Sequence, residues 1–103
     1  MSSIIALSFS IREIGKTIKR TKKEYVWNFK VDFHEHFIRF YYSFLSGKRK
    51  LLFDEKKILE ENKLGLSYKF EWTADGTRYI LIQDGDEFDM EINGKRFKYW
   101  QSF

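Results

Sequence analysis

The sequence contains no cysteine and no proline, and only two histidines. It also has no apolar run near the roughly 20 residues that span a bilayer. Without cysteine, disulfides and thiolate chemistry are excluded, and an intracellular, cytoplasmic setting is the simpler expectation. With His34 and His36 alone and no thiolate, a zinc site falls short of its ligand set, so His34-Glu35-His36 reads as a polar connection. The acidic cluster Asp84-Gly85-Asp86-Glu87 with Asp89 lacks the spacing and flanking helices of an EF-hand and reads as a solvated turn. No GxSxG, Gly-rich phosphate fingerprint, paired catalytic carboxylates or Ser/His/Asp order is present. No cofactor and no enzymatic activity are therefore expected. The lack of proline is unusual for a strand-rich chain, whose edges and turns commonly use it.

What the chain does contain is aromatic. Phe, Tyr and Trp make up 19% of its 103 residues, enough to fill the core of one compact domain, and they suit strands better than helices. The net charge of +4 is uneven. Residues 1–23 hold Arg12, Lys16, Lys19, Arg20, Lys22 and Lys23 against Glu13 alone, whereas residues 24–103 are nearly neutral. A fold built around nucleic acid carries its positive charge on the body, so nucleic acid is the less favoured partner. The division suggests an amino-terminal basic, apolar arm (1–23) and a folded body (24–103).

In the arm, Ile4, Leu7, Ile11, Ile14 and Ile18 have helical spacing, while Ile5, Leu7, Phe9 and Ile11 alternate as on a strand. Both readings stand, with the strand favoured through about Ile11. The segment is basic, Ser-containing and poor in acids, which leaves organelle import open. From Glu24 onward the alternation is plain. Trp27, Phe29, Val31 and Phe33 share one face of a strand, and Ile38, Phe40, Tyr42 and Phe44 share one face of the next. KRKLLF, SYKFEW, RYILIQ, EFDMEI and KRFKYW follow as strands, with turns at Asp75-Gly76, Asp84-Gly85-Asp86 and Asn93-Gly94. The expected fold is all-β: a single antiparallel β-sandwich, with a barrel as the alternative.

Ser46-Gly47-Lys48-Arg49 lacks the first Gly and the Ser/Thr of a P-loop and is flanked by strands, so it reads as a hairpin corner with an exposed basic tip. Lys48 and Arg49 are candidate partner contacts. Arg39 and Tyr41, and Lys98 and Trp100, lie on the opposite parity from the apolar positions and form a candidate outer surface. Lys19, Arg20, Lys22 and Lys23 complete the set as the basic stretch of the arm.

Together, His36-x-Ile38-x-Phe40, Ser46-Gly47-Lys48-Arg49 and Asp54-x-Lys56 resemble the pattern of the Fas apoptotic inhibitory molecule family. Trp27 on the preceding strand and Phe88-x-x-x-Ile92-Asn93-Gly94-Lys95 near the end fit the same pattern, over about residues 25–99. Glu55 departs from it, standing where the family's turn usually has Gly. The resemblance implies a compact, non-enzymatic β domain that acts through protein contacts. The family's roles in survival signalling and in protection against aggregation come with it as suggestions only.

The expected function is thus a protein-interaction module, free-standing or as a small subunit of a larger assembly. The alternative from another class is a nucleic-acid-binding domain using the arm and the Arg39/Tyr41 and Lys98/Trp100 surface.

Overall fold

The computed structural model describes residues 3–100. Two antiparallel sheets face each other and do not close into a barrel, so the sandwich is the fold. The first sheet has the order β1 (Ile4–Glu13), β2 (Lys22–Val31), β3 (His34–Ser43), β4 (Lys48–Phe53), β5 (Lys56–Asn62). The second has β6 (Ser67–Ala74), β7 (Thr77–Asp84), β8 (Glu87–Ile92) and the two-residue β9 (Lys95–Arg96), which runs into a 3-10 turn at Phe97–Trp100. Both sheets follow chain order, so each pairing is a local hairpin or meander, and the 63–66 loop carries the chain from one sheet to the other.

Alternation places the core. Tyr25, Trp27 and Phe29 of β2, Ile38 and Phe40 of β3, and Leu51 of β4 are buried against Tyr79, Leu81, Phe88, Met90 and Ile92 of the second sheet. Phe40 meets Phe88 at a ring separation of 4.6 Å, and Phe29 meets Tyr79 at 5.8 Å. Such contacts add directional preference to the transfer free energy of burying large rings.

Several sequence expectations change. β5, over Lys56–Asn62, is a full strand that the sequence alternation does not single out. His34 to His36 open β3, and the connection before them is Asp32-Phe33, which leaves Phe33 at 96% exposure, outside the core. KRFKYW is mostly the 3-10 turn.

The arm is not separate from the body. Ile4–Glu13 is a strand of the first sheet, with Ile4 and Ala6 in the core, and β2 already starts at Lys22, so no structural boundary falls at residue 23. The favoured strand reading holds, with a register shift between Ala6 and Ser8. That bulge moves Phe9 onto the inward face, where it stacks on Trp27 at 5.5 Å.

Candidate functional site

Pairing register fixes the outer face of the first sheet row by row. Lys22, Ser43, Lys48 and Asn62 lie opposite one another across β2 to β5, and Glu24, Tyr41, Lys50 and Glu60 form the next row. Ile14 extends the first row, its N–H donating to the Lys22 carbonyl at 2.8 Å. The short Ser43 between longer neighbours leaves a cleft of about 210 Å³ lined by Ile14, Lys22, Tyr41, Tyr42, Ser43, Lys48 and Lys50. Three ammonium groups around a hydroxyl-bearing floor make this a place for an anionic group.

Beneath its rim lies a buried carboxylate, Glu24. Arg12 donates to it through Nε at 2.7 Å, and Arg39 stands 3.9 Å away while binding Glu55 at 2.7 Å. Burial pushes the Glu24 carboxyl up. Hydrogen bonds from Arg12 and Tyr41 and the charges of Arg12 and Arg39 outweigh that and hold it below its ordinary value. Burial first, and then Glu24 itself, push the Tyr41 phenol up, since the phenol donates to that carboxylate.

The structure therefore brings Lys22, Tyr41 and Lys48 together, with Arg39 one row away. It does not do the same for the other candidates. Arg49 is fully buried and is no part of a basic tip. Strand parity decides this: Lys48 and Lys50 point outward, so Arg49 points between the sheets. Its guanidinium donates to the Gly47 carbonyl at 3.1 Å and to Gln83 Oε1 at 2.7 Å, and it lies over the rings of Tyr68 (4.4 Å) and Tyr42 (5.0 Å). Gln83 in turn donates to the carbonyls of Gly65 and Gly85 at 2.9 and 3.0 Å. Arg49 thus staples three connections and both sheets.

Lys98 and Trp100 sit in the 3-10 turn on the other sheet and do not share a face with Arg39 and Tyr41, so the single surface expected for nucleic acid is split. Trp100 is partly buried against the core, and its indole N–H donates to the Ile92 and Lys95 carbonyls at 3.0 and 3.2 Å. Lys19 and Arg20 form a 3-10 turn before β2, and Lys22 and Lys23 open β2.

His36 and Asp54 are brought together. His36 Nδ1 lies 2.6 Å from Asp54 Oδ2, and Asp54 Oδ1 accepts the Phe37 N–H at 2.8 Å. Among the described residues no group of three or more His, Cys, Asp or Glu side chains converges in a way that could hold a metal ion.

β1 presents the second feature. It is an edge strand, paired with β2 on one side only. Because Ile14 and Lys22 form a hydrogen-bonded pair and the ladder alternates, Arg12, Ser10 and Ser8 face β2, while Phe9, Ile11 and Glu13 turn their N–H and C=O groups to the free edge. The inward side chains of Phe9 and Ile11 line a groove of about 390 Å³ against Trp27, Phe88, Phe97 and Lys98. Opposite, β9 covers only Glu91 and Ile92 of β8. There the Met90 N–H is taken by Asp89 Oδ1 at 2.8 Å, and Asp89 also binds Arg96 at 2.9 Å. β1 between Ile4 and Ile11 carries no charge and no proline, and its bulge is its only guard against added strands.

Comparisons with family models, with curated proteins and with solved structures found no match.

Sequence reasoning overlooked Ser43, Lys50 and Glu24. Parity could have found Lys50, two residues from Lys48. Glu24 and the free edge depend on which strands are neighbours, for which no local pattern exists.

Proposed function

We propose that this chain is a non-enzymatic protein-interaction module that binds an extended segment of another protein by strand addition to β1. The observation that carries the reading is the edge of β1, where the main-chain groups of Phe9, Ile11 and Glu13 have no partner among the described residues and lie beside an apolar groove. Main-chain hydrogen bonds supply affinity in this mode, and pockets for alternate side chains supply specificity. The groove has an aromatic floor and a rim of mixed charge, Asp84, Glu87 and Asp89 with Arg96 and Lys98, and Arg96 is paired with Asp89, so it suits a segment that alternates apolar and polar residues.

The resemblance to the Fas apoptotic inhibitory molecule family supports the same class of function. His36, Arg49 and Asp54, three residues of that pattern, are all spent on holding strands and corners together. A role in survival signalling or as a subunit of an assembly stays within this proposal.

Selection of a displayed peptide library against the full chain tests it. Selected peptides should alternate apolar and polar residues, slow hydrogen exchange at Phe9, Ile11 and Glu13, and bind Ile11→Pro at least tenfold more weakly. Ile11→Pro removes an N–H from the free edge and leaves the β2 ladder intact. Ile11→Lys, an inward charge on the edge, should weaken the same peptides while the chain melts near the wild-type temperature. Peptides indifferent to both variants would overturn the proposal.

A further inference from the structure

The end of the sandwich where β1, β3 and β5 finish carries an unusual surface. The loops 14–21, 44–47 and 63–66 meet there, and hydrogen bonds join them: Phe44 N–H to the Thr21 carbonyl at 3.3 Å, and Lys63 N–H to the Gly47 carbonyl at 3.0 Å. Arg49 and Gln83 fasten Gly47 and Gly65 from below. The loops form one platform.

Apolar side chains project from it. Leu45, Leu64 and Leu66 are 71%, 69% and 70% exposed, and Phe44 and Ile18 are also exposed. Phe44, Leu64 and Leu66 border a shallow apolar cleft of about 350 Å³ with Tyr42 and Lys23. Folding gives such tips no burial, so they mark a surface that something else covers.

Charge says what covers it. Lys16, Lys19, Arg20, Lys22, Lys23 and Lys63 lie in or beside these loops. Among the described residues none of the six is within ion-pair distance of a carboxylate. The anion cleft of Lys22, Lys48, Lys50 and Ser43 opens on the same side. Asp84, Asp86 and Glu87 edge this end on the second sheet, so an anionic surface is met by the first sheet's side.

We infer that this end of the molecule docks peripherally on an anionic lipid bilayer. Leu45, Leu64 and Leu66 enter the interface between headgroups and acyl chains, the lysines stay at headgroup depth on their long stems, and a lipid phosphate occupies the Ser43 cleft. Leu45 on one loop and Leu64 and Leu66 on the next, ringed by unpaired lysines, suit a fluid anionic surface, which needs no fitted counterpart. No helix among the described residues is long and apolar enough to cross a membrane, and peripheral docking needs none. The docking end adjoins the β1 groove at Asp84 and Glu87, but none of its leucines or lysines lines that groove, so the two proposals are tested by different residues.

Cosedimentation of the full chain with vesicles of phosphatidylcholine containing about 30% phosphatidylserine, at about 0.1 M salt, tests the inference. Binding is expected there and should be lost with pure phosphatidylcholine. The double variant Leu45→Ser/Leu64→Ser and the double variant Lys16→Glu/Lys19→Glu should each lower the partition coefficient at least tenfold, with thermal unfolding unchanged because all four side chains are exposed. Absence of binding to the anionic vesicles, equal binding to neutral ones, or indifference to both variants would overturn it. So would displacement from the vesicles by single-stranded nucleic acid with higher affinity, which would assign the basic ring to the other polyanion.

Discussion

Arg49 carries a full charge into an interior that offers it no carboxylate among the described residues. What it finds is two acceptors, Gly47 O and Gln83 Oε1, and the faces of Tyr68 and Tyr42, while its Nε has no partner. A planar fork can serve two acceptors and a stacked ring at once, and an ammonium cannot. Arg49→Lys is therefore expected to lose about 2–4 kcal/mol in denaturant unfolding, from unpaired acceptors and a charge without its fork. Arg49→Met, which fills the volume and removes the charge, should be the milder change. A lysine variant more stable than the methionine variant would show that the guanidinium is not what holds this end. Gly47 beside it is equally fixed. Its φ is +72°, and an added Cβ would lie 2.7 Å from the Lys63 carbonyl oxygen, so both the turn and the closeness of the next loop require glycine. Glu55, by contrast, holds φ at +68° without being glycine, in a corner where Arg39 binds its carboxylate.

Among the elements, β1 departs furthest from its sequence reading. Its basic, apolar composition suggested an appendage, yet Ile4 and Ala6 belong to the core and Phe9 covers Trp27. Removing residues 1–23 would uncover β2 along its whole length and expose Trp27 and Tyr25. The truncated chain is expected to lose cooperative unfolding and to aggregate, which circular dichroism melting and light scattering would show. A truncated chain that melts near the full-length temperature would restore the arm-and-body description. The strands from Lys22 onward were more legible, because most inward residues are large and apolar, Arg49, Thr77 and Gln83 aside, and most turns carry their own signal. β5 was missed for the opposite reason: Ile58 and Leu59 are only half-buried, and the rest of the strand is polar.

At the scale of the whole molecule, the two sheets meet over tyrosines as well as hydrocarbon. Burial pushes Tyr25 and Tyr79 up to about 12. Their neutral forms are favoured by folding, so their contribution is complete below pH 10, where the unfolded phenols begin to ionise, and falls as pH rises toward 12. Alkaline unfolding followed by phenolate absorbance should be cooperative and should coincide with loss of the strand signal. Gradual tyrosine ionisation inside a persistently folded chain would contradict their burial. The amino-acid order by itself determined most of the strands, most of the turns and the all-β class, since alternation and turn chemistry act between near neighbours in the chain. It also concentrated the net positive charge in residues 1–23. Only the tertiary structure decided that Arg49 faces inward, that Glu24 is buried on an outer face, that β1 is an edge, and that three loops share one platform. Each of these depends on which strand or loop lies alongside, and that is settled when the two sheets close over a common core.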